Sequence, residues 1–363
     1  MSKNDNQFTN FKIHTQYSIC EGAIKIDDLA DYCKTNKIKS SGIADSYNLC
    51  GALEFSEKIS KSGTQPIIGT QINFLFENVI NKIPIFATTD KGYKNLTALS
   101  SKSYIDISAT DQPYCTIEDL IKHHEDLIIL TGSQYDFFGD LFKLNKLKKI
   151  EDILIILNNT FKDRLYIEIQ RHNEKNEKNF EIFLLQLSKK FNIPLIASQE
   201  VYYLQKNMAE AHDALLCIGE KNFIDDVNRK KFNDEHYLKS SEVLSKIFSD
   251  IPEALENNYA FPYRFSFKPK KSKPILPKLK IKNGVTIEDE LLIQAKEGLL
   301  NRLENFIFLN NISKDKNEIK KIYTDRLMHE IKIINSMNYP SYFLIVSDYI
   351  KWSKKNNRPV GPG

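Results

Sequence analysis

Short β-rich runs alternate with amphipathic helical stretches up to Phe261, and that alternation limits the possible folds more than any other feature of the sequence. The runs are Phe11-Lys12-Ile13, Gly42-Ile43-Ala44, Ile67-Ile68-Gly69, Leu127 to Leu130, Tyr166-Ile167-Glu168-Ile169 and Leu195-Ile196-Ala197, each ending in polar residues. Between them lie stretches of helical period, such as Ile26 to Cys33 and Leu53 to Ile59. In Phe180 to Phe191 the residues Phe180, Phe183, Leu184, Leu187 and Phe191 share one face. Strand followed by helix, repeated, predicts a parallel sheet in an α/β fold. About seven such units favour a closed β/α barrel over an open sheet.

In parallel β/α folds the chemistry gathers where the strands end. The residues just beyond the runs are His14, Asp45, Gln71, Thr131, His172 and Gln199-Glu200. Such a set can line a metal site, or it can be ordinary loop chemistry at strand ends; the residues alone leave both readings open.

Composition removes other classes. The five cysteines, Cys20, Cys33, Cys50, Cys115 and Cys217, form no C-x-x-C pair, which argues against a disulfide framework and a thiolate zinc site. No apolar run is long enough to span a bilayer, and Met1 to Asn10 has no signal-peptide core, so the expected location is the cytoplasm and no membrane partner is expected. A net charge of +4 does not describe a polycationic nucleic-acid binder. Local charge says more: Asn257 to Ile287 has no acidic residue but holds Arg264, Lys268, Lys270, Lys271, Lys273, Lys278, Lys280 and Lys282, broken by Pro269, Pro274 and Pro277. This stretch predicts an extended basic linker, either a solvated connector or a contact for a nucleic-acid backbone.

Beyond Gly284 the pattern becomes long helices. Thr286 with Asp289 fits a capping box, ahead of a stripe of Leu292, Ala295, Leu299 and Leu303. A second helix runs through Leu327, Ile331 and Ile334. A third begins at Pro340, with Phe343, Val346, Ile350 and Trp352 as its apolar face. The expected organisation is therefore a barrel over 1–262, a basic Pro/Lys linker over 263–284 and a mainly helical region over 285–363.

Several blocks resemble one known family. FKIHTQYSICEG (Phe11 to Gly22), GIADSYNLCGALEF (Gly42 to Phe55) and QPIIGTQ (Gln65 to Gln71) are similar to the opening of the polymerase-and-histidinol-phosphatase (PHP) domain of bacterial DNA polymerase III alpha subunits. DKGYKNLTALSSKSYI (Asp90 to Ile105) and AEAHDALLCIGEKNFIDDVNRKKF (Ala209 to Phe232) match later blocks. YPSYFLIVSDYIKWSKKNNRPVGPG (Tyr339 to Gly363) is similar to the start of the polymerase palm. The resemblance covers nearly the whole chain in family order. It implies a distorted seven-stranded β/α barrel followed by the helical start of a palm. In active members of the family the strand ends hold a cluster of metal ions, usually zinc, that supports phosphoester hydrolysis.

Carried over residue by residue, that ligand set is depleted here. His14, Glu21, Asp45, His172 and Glu200 are ligand-capable. Lys12, Ser46, Gln71, Lys82 and Tyr202 stand where ligands should be. An ammonium cannot ligate a cation and repels it. The resemblance thus implies a metal-free, catalytically inactive barrel, its cleft held by hydrogen bonds and pairs such as Lys12 with Glu21 or Glu200. Zinc or manganese is not expected in it. Members with degenerate barrels receive proofreading from a separate exonuclease subunit docked on this domain, so that partner is expected, with other holoenzyme subunits and primer–template DNA through the full-length protein. The polymerase's magnesium-binding aspartates fall beyond Gly363 in the family, so no catalytic residue, no cofactor and no nucleotidyltransferase activity are expected of this chain alone. Gly361 and Gly363 begin a phosphate-contacting turn in the family. Two other readings stay open: a stand-alone PHP-type metallophosphoesterase, and a non-enzymatic interaction module.

Overall fold

The computed structural model describes residues 6–361 except 106, 109–111, 273, 274, 276, 278, 280–283 and 311–314. The chain divides into two compact units, Met1–Lys271 and Ser272–Gly363.

The first unit is built on a curled sheet. Its strands are β1 (Lys12–Ile13), β2 (Ser40–Ser46), β3 (Gln65–Phe76), β4 (Val79–Ala87), β5 (Cys115–Thr116), β6 (Leu127–Leu130), β7 (Leu165–Ile169), β8 (Leu195–Ala197) and β9 (Glu200–Val201). They lie in the order β8-β7-β6-β4-β3-β2-β1-β9, with β5 paired to β3. The helices between them are α1 (Ile26–Thr35), α2 (Ala52–Lys61), α3 (Asp90–Ile105), α4 (Ile117–Lys122), α5 (Phe137–Lys143), α6 (Leu147–Phe161) and α7 (Glu177–Phe191), and α8 (Ala209–Glu220), α9 (Ser241–Ile247) and α10 (Pro252–Ala260) follow β9.

The α/β expectation holds, with corrections: the sheet has nine strands rather than seven, it is a curl that ends at β8 and β9 rather than a closed barrel, and it is mixed. β4 runs antiparallel to both β3 and β6, whereas β1–β2, β2–β3, β6–β7 and β7–β8 are parallel. The reason is a hairpin. Only Glu77 and Asn78 separate β3 from β4, too few residues for the crossover that a parallel pair requires. The curl brings the two ends of the strand order together, since β8 and β9 are joined through Ser198 and Gln199 alone.

Period-two alternation explains the layers. In β7, Leu165, Ile167 and Ile169 face outward into the large core shared with the helices, while Tyr166 faces inward. The inward apolar layer comprises Phe11, Ala44, Ile67, Phe86, Ile128, Leu130, Tyr166 and Ile196, closed by Phe261 and Phe265. Gly69 is required here: a Cβ would lie 2.4 Å from the Phe86 ring. Above this apolar plug, the next inward positions are polar, and they form the candidate site. The start of the basic stretch lies on the barrel. Phe267 packs on Tyr93, Pro269 is buried and Lys271 pairs with Glu57 at 3.0 Å. Lys273, Lys278, Lys280 and Lys282 lie outside the described residues.

The second unit contains α11 (Ile287–Arg302), α12 (Phe308–Asn310), α13 (Lys316–Ser336) and α14 (Pro340–Lys355). Thr286 caps α11, accepting the Asp289 N–H at 3.1 Å. Leu291, Ile331 and Leu344 form its buried cluster, with Leu292, Ala295, Leu327 and Ile334 packed around them. The expected apolar face of α14 is mostly outside: Phe343, Ile350 and Trp352 are exposed, and the buried residues are Pro340 and Leu344.

Candidate functional site

Lys12 lies at the centre of the polar layer. It has no solvent exposure, and its Nζ is 3.2 Å from Oε1 of Glu168, 3.4 Å from Oε2 of Glu200 and 3.7 Å from Oδ2 of Asp136. Register explains the first contact set, because Lys12 pairs directly with Glu200 across β1–β9. Burial alone would push the amine toward its neutral form, but the three carboxylates outweigh it and hold the pKa above the ordinary lysine value. Burial likewise disfavours the charged form of Glu200, yet Lys12 and His14 hold it well below the usual carboxylate range. For Glu168 burial prevails over Lys12 and pushes the carboxyl upward, although Gln170 Nε2 donates to it at 2.8 Å and the Ser198 hydroxyl also donates to it.

Asp45 is turned into the first loop. Its oxygens accept from the Thr15 N–H (2.7 Å), the Thr15 hydroxyl (2.8 Å) and the Ser18 hydroxyl (2.7 Å). Ser18 has a single hydroxyl proton, which goes to Asp45, so Ser18 accepts from His14 Nδ1 at 3.1 Å. The other nitrogen of His14 faces Glu200 at 2.8 Å. Gln71 directs its Nε2 toward the same Glu200 oxygen at 2.5 Å, leaving its buried Oε1 without a protein partner among the described residues.

A second ion cluster surrounds Glu21. Lys230 lies 2.9 Å and Lys82 3.7 Å from its oxygens, and the Ser46 hydroxyl donates to it at 2.5 Å. Burial opposes the charge on Glu21, but Lys82 and Lys230 hold its pKa below the usual carboxylate range. Lys82 is held above the ordinary lysine range, burial being outweighed by Glu21 and its neighbours.

Aromatic rings close the layer. Tyr202 stacks on His14 (centroids 4.4 Å apart) and on Phe232 (4.9 Å), and His172 stacks on His236 at 4.0 Å. Burial depresses the pKa of His172, His212 and His236 to about 4 each, so these imidazoles are neutral near pH 7. His172 Nε2 lies 3.2 Å from the Glu200 carbonyl and His236 Nδ1 lies 3.3 Å from it. A cavity of about 310 Å³ opens above the layer.

The structure therefore brings together the ligand-capable residues His14, Glu21, Asp45, His172 and Glu200 with the substituted positions Lys12, Ser46, Gln71, Lys82 and Tyr202. Of the two pairings expected for Lys12, the one with Glu200 is present; Glu21 pairs instead with Lys82 and Lys230. Sequence reading missed Glu168, Asp136, Lys230 and His236. Glu168 carried a usable signal, a carboxylate at an inward position of a strand otherwise made of Leu, Tyr and Ile. Gly361 is exposed, and Gly363 lies outside the described residues.

These residues do not fit a metal cluster. The carboxylates that converge at its centre already lie within 3.7 Å of an ammonium group. Asp45 accepts from Thr15 and Ser18, the two nitrogens of His14 face Ser18 and Glu200, and Gln71 presents an amide nitrogen, which is not a ligand. Among the described residues no group of three or more His, Cys, Asp or Glu is arranged to hold a metal ion.

The PHP domain family matches residues 10–172, within the unit that holds this strand-end cluster. Residues 289–363 match the bacterial DNA polymerase III alpha NTPase domain. The chain belongs to the bacterial DNA polymerase III alpha family and aligns over 98% of its length with members of it. It is 36% identical over 364 residues to DNA polymerase III subunit alpha of Caulobacter vibrioides, covering 98% of this chain and 31% of that protein. With the Rickettsia bellii protein of the same name it shares 36% identity over 362 residues, covering 98% and 30%. The chain thus spans under a third of the length of these relatives. An amidohydrolase from Chromobacterium violaceum aligns over 53% of this chain and 87% of its own, at 9% identity and a TM-score of 0.37, too distant to bear on the site. Among the described residues no helix is long and apolar enough to cross a membrane.

Proposed function

We propose that this chain serves template-directed DNA synthesis as the N-terminal part of a cytoplasmic DNA polymerase III alpha subunit, and that its PHP barrel is a metal-free scaffold. The observation that carries the reading is Lys12. Its ammonium group takes the position of a cation among Glu168, Glu200 and Asp136, so a metal ion there would meet a like charge and carboxylates that already have a cationic partner. Nucleotidyl transfer, with its magnesium ions, primer–template DNA and holoenzyme partners, belongs to the longer protein, and the chain alone is inactive.

The barrel in this reading is also the dock for a proofreading exonuclease subunit. Exposed apolar residues support a protein-binding face: Ile218 and Phe223 beside Ile19, with Gly219 packed so closely on Cys20 that a Cβ would clash at 2.4 Å. A free-standing metallophosphoesterase fits poorly with Lys12, and a non-enzymatic interaction module fits the barrel equally well. Elemental analysis of the purified protein, with p-nitrophenyl phosphate hydrolysis in added zinc or manganese, tests the scaffold. Metal far below one equivalent and no turnover are expected; near-stoichiometric zinc would sink the reading. Co-purification with the exonuclease subunit, lost in Phe223→Asp, tests the dock.

A further inference from the structure

The cavity above the charged layer has two chemically different ends. At one, Glu21 is matched by Lys230 and Lys82. At the other stand Glu174 and Glu177, and neither has a Lys or Arg partner among the described residues. Glu174 accepts from the Tyr135 hydroxyl at 3.0 Å and the Asn233 N–H at 3.2 Å, and lies 3.4 Å from His236 Nε2. Glu177 accepts from the N–H groups of His172 (2.7 Å) and Glu174 (3.4 Å), and lies 3.6 Å from His172 Nδ1. Beside Tyr135, Gln134 lines the same cavity. It is only 7% exposed, and its Nε2 is buried with no hydrogen-bond partner.

The geometry points to this end of the cavity as a binding site for an alkylammonium group. Two carboxylates sheltered from water and lacking a counter-charge favour a cation. Seven carboxylates line the cavity against two lysines, which disfavours a phosphate-bearing ligand. A bare metal ion would find too few converging ligands. An organic cation also finds aromatic walls, since Tyr135 and Phe232 meet edge to face at 5.8 Å. Each of those rings already carries an amine on one face: Lys143 lies 5.1 Å from Tyr135 and Lys230 lies 5.2 Å from Phe232. The unpartnered Nε2 of Gln134 is a donor and cannot bond an ammonium group, but it can donate to a carbonyl oxygen, which a bound peptide has and a free polyamine lacks. The ammonium can come from a free polyamine or from a lysine side chain of a bound peptide, and this site does not depend on the polymerase reading.

The test is calorimetric titration of the 363-residue protein with spermidine, with Nα-acetyl-lysine-N-methylamide and with its Nε-acetylated, uncharged analogue. One or both amines bind with one-to-one stoichiometry and the uncharged analogue does not. Spermidine as the tighter ligand marks a free polyamine, and the lysine derivative as the tighter one marks a peptide side chain. Glu174→Gln combined with Glu177→Gln keeps each acceptor oxygen but removes both charges, and weakens binding roughly ten- to hundredfold. Gln134→Leu weakens binding of the lysine derivative by about threefold and leaves that of spermidine, which has no acceptor, unchanged. Should the double variant fail to fold, by circular dichroism, the single Glu174→Gln carries the same comparison. Binding of neither amine, or unchanged affinity in the charge-removing variants, overturns the proposal.

Discussion

The barrel and the helical unit use similar residues to opposite effect. In the barrel, apolar side chains close on one another and even the charged layer is internally paired, with Lys12, Lys82 and Lys230 each placed against carboxylates. In the helical unit the buried cluster is small, centred on Leu291, Ile331 and Leu344, and α14 turns Tyr342, Phe343, Tyr349 and Trp352 outward. An apolar stripe at helical spacing thus identifies a helix without saying whether it is a core face. What makes the barrel self-contained is that its inward positions are filled from every strand of the curl. The helical unit has no comparable enclosure.

The sharpest way to break this contrast is to remove the central cation. Lys12→Met leaves Glu168, Glu200 and Asp136 buried without it, and loss of one partner from a buried ion cluster costs about 3–5 kcal/mol. Urea unfolding followed by hydrogen exchange in β1–β9 should show that loss. Fluorescence of Trp352, the chain's one tryptophan, reports the helical unit and should keep its midpoint. Equal shifts in both signals would mean that the two units do not unfold independently.

Acid should narrow the gap by a few kcal/mol, because the barrel holds the depressed histidines. His172, His212 and His236 titrate near 4 when folded, against 6.5 for the free side chain. The unfolded chain therefore binds protons first. The stability they contribute is complete above about pH 6.5 and is lost as pH falls toward 4. Glu21 and Glu200, depressed by their lysines, add a further loss as pH drops below 4.5. The raised carboxyls of Asp45 and Glu168 offset part of it. Thermal denaturation between pH 7 and 4 should lower the barrel's transition and move the Trp352 transition less.

Paired truncations sharpen the contrast further. Leu154→Ala, in the fully enclosed face of α6, should cost about 2–5 kcal/mol; Leu344→Ala, whose surroundings can collapse, should fall at or below the low end of that range.

Much of this was legible in the sequence. The runs at Leu127 and Tyr166 are strands, Phe180 to Phe191 is a helix, and the positions just beyond the apolar runs group His14, Asp45, His172 and Glu200. The β3–β4 hairpin was not legible, because Gln65 to Ala87 has β-rich character with Glu77 and Asn78 as its only interruption, and strand direction is not written in periodicity. Glu168 was read as part of an apolar run because a strand enclosed on both faces loses the usual contrast between inside and outside. Lys230 and His236 come from the segment after α8, and only folding brings them over the strand ends. The partner of Lys12 was half foreseen, because β1–β9 register selects Glu200, while Glu21 lies across the cleft with Lys82.

The smallest effect compares two helix caps with the same Thr-x-x-Asp spacing. Thr116 and Asp119, opening α4 in the barrel, form a complete capping box: the Thr116 hydroxyl accepts the Asp119 N–H at 3.2 Å, and Asp119 accepts the Thr116 N–H at 3.0 Å. At α11 in the helical unit, Thr286 accepts the Asp289 N–H, and the Asp289 carboxylate accepts from the Thr286 hydroxyl at 2.7 Å, as Asp119 does from Thr116 at 3.1 Å, but without the bond from the N-cap N–H that completes the box at α4. Either threonine replaced by alanine loses a cap worth about 1 kcal/mol. The aspartates should differ. Asp119→Ala frees a backbone N–H that had a partner and costs about 0.5–1 kcal/mol, while Asp289→Ala leaves the backbone cap intact and costs less than half of that. Urea midpoints for the four variants, read on each unit separately, decide it. Equal costs for the two aspartates would mean that their charge at the helix N-terminus, which both share, outweighs the hydrogen bond that only one of them makes.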